Sequence, residues 1–86
     1  MELKKIGEYI AKKRKEKKLT QQELADKVNV SVKAISKWEC GKGLPEITNL
    51  QMLAKELDIS MIDVLNGEDS KKEEAVVEYV KKRGLI

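Results

Sequence analysis

Residues 20–39, TQQELADKVNVSVKAISKWE, leave room for little except two short helices joined by one tight turn. Thr20 and Glu23 have the spacing of a capping box, in which each side chain satisfies an orphan amide at a helix start. Leu24, Ala25 and Val28 then recur at helical spacing and define one apolar face. Asn29 stands where that helix must stop, and Asn tolerates the left-handed conformation better than any residue except Gly. Ser31 can cap a second helix, whose apolar stripe is Ile35 and Trp38. Two helices this short, with so brief a connection, form a helix-turn-helix unit.

The rest of the chain is read as helices built around that unit. A first helix is predicted from near Glu2 to Lys17, with Leu3, Ile6, Ile10 and Ala11 on one face and lysines elsewhere. Gly41, Gly43 and Pro45 mark a loop after the motif. A fourth helix is predicted from about Ile47 or Thr48, carrying the stripe Leu50, Leu53, Ala54 and Leu57. Ser60 and Asp63 have capping-box spacing and open a fifth, short helix that Asn66-Gly67 stops. The expectation is an all-α, five-helix domain over residues 1–67, followed by a C-terminal amphipathic helix within 68–86. That last helix has its own grammar: Ser70 and Glu73 as a cap, Val76, Tyr79 and Val80 on one face, and Gly84 as a stop. It can pack back on the domain, pair with a second subunit, or lead into a continuation of the chain beyond Leu85-Ile86.

Composition narrows the function classes. The chain has 86 residues and no His, and its single Cys40 has no base partner. Nucleophilic catalysis and a zinc site therefore lack their usual residues, and the carboxylates are spread over solvated helix faces. No enzyme, metal or cofactor is expected. No apolar run is long enough to span a bilayer, which makes a cytoplasmic protein the default. The net charge of +3 is unevenly distributed: residues 1–42 carry +6, residues 43–69 carry −5 and residues 70–86 carry +2. Such a division favours oriented encounter with a polyanion.

At about 100° per residue, burying Ile35 and Trp38 turns Lys33, Ser36 and Lys37 outward, with Val32 at the boundary. The second helix of such a motif enters the DNA major groove by its N-terminal residues. Lys33 and Lys37 can donate to guanine O6 and N7, Val32 can pack on thymine methyls, and Ser36 can reach base or phosphate. Gln21 stands at a helix start, where its amide and the helix dipole both favour a phosphate. Lys42 lies between two glycines that allow close approach of the loop backbone.

The motif resembles the helix-turn-helix of the phage-repressor-like family (lambda repressor, 434 Cro, XRE), with Gln21 at the start and Ala25 as the small residue. Leu24, Val28, Val30, Ile35 and Trp38 stand at its apolar positions, Asn29 replaces the usual turn Gly, and WECGKGLP resembles a W-E-x-G-K-x-x-P run. The resemblance extends from about Leu3 to Gly67. It implies base contacts from the recognition helix 31–39 and phosphate contacts that include Gln22, Ser31 and Thr48. It also implies that Gln21 braces the start of the recognition helix, and that Arg14 and Glu39 form a partly buried ion pair. A homodimer on double-stranded DNA is implied, with Leu44, Pro45, Ile47, Met61 and Ile62 near the place where relatives dimerise. Val76, Tyr79 and Val80 offer an alternative interface. The function so implied is a sequence-specific regulator, a repressor of a palindromic operator. The competing reading is an antitoxin or regulator that binds a protein partner through residues 70–86.

Overall fold

A computed structural model describes residues 2–70 and 81–84, so Val76, Tyr79, Val80 and the Glu73 half of the last cap lie outside the described residues. The described part forms five helices and no strand: α1 (Leu3–Glu16), α2 (Gln21–Val28), α3 (Val32–Glu39), α4 (Ile47–Leu57) and α5 (Met61–Asn66). Glu2 and Lys17, predicted as the ends of the first helix, are its caps.

Local chemistry sets the boundaries. Both halves of the Thr20–Glu23 capping box are made: Glu23 N–H donates to Thr20 Oγ1 at 3.0 Å and Thr20 N–H to Glu23 Oε1 at 2.9 Å. Those bonds hold the Glu23 carboxyl below its ordinary range. At α5 only half of the expected box forms. Ser60 Oγ accepts from Asp63 N–H at 3.0 Å, while Asp63 Oδ1 is buried without a partner. Asp is one methylene shorter than the Glu or Gln that closes such a box. Asn29 ends α2 in the left-handed conformation at φ 57°, as its side chain predicts. Lys18 and Asp58 adopt the same conformation at φ 59° and 55°; Asp tolerates it as Asn does, whereas no residue preference announces Lys18.

α1 packs on α3 and α5, α2 on α3 and α4, and α4 on α5. Their shared core is Ile6, Tyr9, Ile10, Leu24, Ala25, Val28, Ile35, Trp38, Leu50, Leu53, Leu57 and Val64. Leu3 and Ala11, expected on the buried face of α1, are exposed and half-buried; Tyr9 fills that role instead. The closest approach is backbone to backbone. A Cβ on Gly7 of α1 would overlap the Trp38 carbonyl oxygen and stand 2.7 Å from the Glu39 carbonyl oxygen. Gly7 is thus the residue that lets α1 cross the end of α3.

The chain stays tied to α1 beyond Gly67. Lys5 Nζ meets Glu68 at 3.1 Å, Lys13 Nζ meets Asp69 at 2.9 Å, and Tyr9 Oη donates to Asp69 Oδ1 at 2.8 Å. Lys13 and then Tyr9 hold the Asp69 carboxyl below its ordinary range. Burial, reinforced by the Asp69 hydrogen bond, pushes the Tyr9 hydroxyl above its ordinary value.

Two outcomes follow from this packing. Gly7→Ala forces backbone apart and should cost about 3 kcal/mol or more, read as a large fall in melting temperature. The raised Tyr9 pKa makes its contribution whole below about pH 10 and lost as pH rises further. Denaturant titrations from about pH 9 to about pH 11 should therefore show a steeper loss of stability in the native chain than in Tyr9→Phe.

Candidate nucleic-acid interface

The turn between α2 and α3 is closed by Val30 N–H donating to the Ala25 carbonyl at 3.0 Å. Ser31 then caps α3, its Oγ accepting from Ala34 N–H at 3.1 Å. Its hydroxyl hydrogen stays available to donate outward. Ile35 is fully buried and Trp38 nearly so, which fixes the rotation of α3. Trp38 is a core residue, with no face offered to a base. On the opposite side Val32, Lys33 and Lys37 are exposed and Ser36 is half-buried.

Ser31, Lys33, Ala34, Ser36, Lys37, Cys40 and Lys42 line one open concavity along α3 and the following loop. Gly43 shapes its edge. A Cβ there would lie 2.8 Å from Lys37 Cε, so the lysine stem runs across the bare backbone. Gly41 turns the loop at φ 73°, a left-handed conformation that favours glycine. Gln22 and Thr48 are exposed but stand outside this lining, and the Gln22 amide donates to Asp26 Oδ1 at 2.9 Å.

Behind the concavity sits a charged anchor. Arg14 Nε and Nη2 donate to Glu39 Oε2 and Oε1 at 2.7 and 2.9 Å, and Nη1 donates to the Leu19 carbonyl at 2.8 Å. The side chains of Arg14 and Glu39 are only 11% and 7% exposed. The Glu39 carboxylate raises the Arg14 pKa, so the guanidinium stays charged. Gln21 Nε2 donates to the same carboxylate at 3.0 Å. Gln21 therefore braces the end of the recognition helix, where the resemblance implies its start. The reason is geometric, because the first turn of α2 lies beside the last turn of α3. One amide hydrogen of Gln21 remains for a phosphate.

The apolar patch is smaller than the sequence implies. Leu44, Ile47 and Ile62 are exposed, the last two at 61% and 68%. Pro45 is buried in its own chain and Met61 is half-buried against the core, so neither offers a free apolar face. Proline lacks an N–H, which removes the usual penalty for burying loop backbone there. Sequence reading missed Gly7, which no apolar stripe or charge pattern marks. An isolated glycine within a helical pattern was the available signal for Gly7.

Fold and outer face together define a helix-turn-helix DNA-binding domain of the XRE type. The chain belongs to the Helix-turn-helix family, whose profile matches residues 10–64. The cryptic phage CTXphi transcriptional repressor RstR of Vibrio cholerae is 43% identical over 63 residues, 73% of this chain and 55% of that protein. The HTH-type transcriptional activator BcrR of Enterococcus faecalis is 39% identical over 64 residues, 74% of this chain and 31% of that protein. The DNA-binding domain of the P22 C2 repressor has a TM-score of 0.72 at 38% identity, covering 83% of this chain and 93% of that one. This chain spans 31% and 55% of the lengths of BcrR and RstR.

Arg14→Met strands the Glu39 carboxylate in a nearly dry site and should cost about 3–5 kcal/mol. Adding Glu39→Met should restore much of the melting temperature, because an apolar pair of similar size replaces the ion pair. A double-mutant cycle by thermal denaturation checks both.

Proposed function

We propose that this chain is a sequence-specific regulator of transcription that reads double-stranded DNA through α3 and represses as a dimer on a two-fold symmetric operator. The observation that carries this reading is the outer face of α3, where Val32, Lys33 and Lys37 are exposed and Ser36 half-buried, while Ile35, Trp38 and Glu39 anchor the helix to the domain. Lys33 and Lys37 are assigned to guanine edges and Val32 to thymine methyls, with Ser36 at a base or phosphate. Gln21, Ser31 and Lys42 are assigned to phosphates, with Gln22 and Thr48 as outer contacts. Repression is favoured by the likeness to RstR and to the P22 C2 repressor, both described as repressors. A dimer is favoured because one such helix reads only a few base pairs, and the exposed Leu44, Ile47 and Ile62 offer apolar contact area.

Selection from random duplex DNA tests the proposal. The expected product is a symmetric motif with half-sites one helical turn, about 34–36 Å, apart. Lys33→Ala or Lys37→Ala should each cost about 1–3 kcal/mol on that site and relax preference at the base it contacts. Enrichment without a motif, with steeply salt-dependent binding, would overturn it.

A further inference from the structure

The lysines of α1 divide into two populations. Lys5 pairs with Glu68, and Lys13 pairs with Glu16 and Asp69, all on the side where the chain after α5 returns. Lys4 is about 100° around the helix from Lys5 and faces a different neighbour. Its backbone packs on the loop after the recognition helix. A Cβ on Gly41 would lie 2.8 Å from Lys4 Cα and 3.0 Å from Lys4 N. Lys42 is the next residue of that loop, and the Lys37 stem crosses Gly43 just beyond it. Lys4, Lys42 and Lys37 are all exposed. Among the described residues none of the three has a carboxylate partner.

Among the described residues, Lys4 of α1, Lys42 of the loop and Lys37 of α3 are thus exposed and without a carboxylate partner, and the backbone that carries Lys4 abuts the loop that carries Lys42. We propose that Lys4 is a phosphate-binding residue, extending the DNA footprint past the reach of α3 to the sugar-phosphate backbone that flanks each half-site. A lysine meets a phosphate as a point charge on a flexible stem, so the contact carries affinity and position with no base preference. The assignment rests on DNA binding by α3 and deepens it: α1, otherwise the scaffold behind the recognition helix, also touches the ligand at its first turn.

The test compares the native chain, Lys4→Ala, Lys4→Gln and Lys12→Ala on one selected duplex across a range of salt. Lys12 is the control, because it lies on the side of Tyr9, Glu68 and Asp69, away from the loop. Each lost phosphate contact should reduce the slope of log affinity against log salt by about 0.9, hence about 1.8 for a dimer. Both Lys4 variants should show that loss with an unchanged motif and melting temperature, and Lys12→Ala should keep the native slope. A neutral methylphosphonate at the contacted flanking position should weaken the native chain and leave Lys4→Ala unaffected. A native slope in the Lys4 variants, or an equal loss in Lys12→Ala, would overturn the assignment while leaving DNA reading by α3 intact. No duplex binding by the native chain would overturn both.

Discussion

One carboxylate organises this domain. Glu39, at the last position of α3, accepts from Arg14 of α1 through two nitrogens and from Gln21 of α2 through a third. Helices from three parts of the chain therefore meet at a single charged group with little solvent around it. Burying a charge is tolerable only when its lone pairs are filled, and here the guanidinium fork and an amide fill them. Burial of Ile35 and Trp38 sets which side of α3 faces inward. The polar clamp adds a second hold at the end of the helix that carries the four positions proposed to read DNA.

Electrostatics divides the molecule along α1. Lys5 and Lys13 are paired with Glu68 and Asp69, so part of the excess charge of the N-terminal half is offset where the chain after α5 returns. The acidic middle of the sequence is thus partly an internal counter-charge. Lys4, Lys42 and Lys37, exposed and without a carboxylate partner among the described residues, stand near the convergence of α1, the loop at Gly41 and the end of α3.

Much of the architecture was legible because short helices must declare their ends chemically. Thr20, Ser31 and Ser60 mark starts, Asn29 and Gly67 mark stops, and the stripes between them fill the core as their spacing implies. Side-chain rotation about α3 followed from two residues, Ile35 and Trp38. What escaped was information that lives in contacts between distant segments. The place of Gln21 at the far end of α3 depends on how α2 lies against it, which no periodicity encodes. Burial of Pro45 depends on the path of the loop. Lys18 takes a left-handed backbone against its own preference at the turn between α1 and α2.

The crossing at Gly7 carries a consequence for how such a protein changes its target. At Gly7 the approach of α1 to the end of α3 is main chain against main chain, beside the side-chain bonds of Arg14 to Glu39. Positions 32, 33, 36 and 37 take no part in that approach. On the proposed reading of DNA, those four positions are like type in a printing frame: their letters can be replaced without touching the crossing at Gly7 that seats α1 against α3.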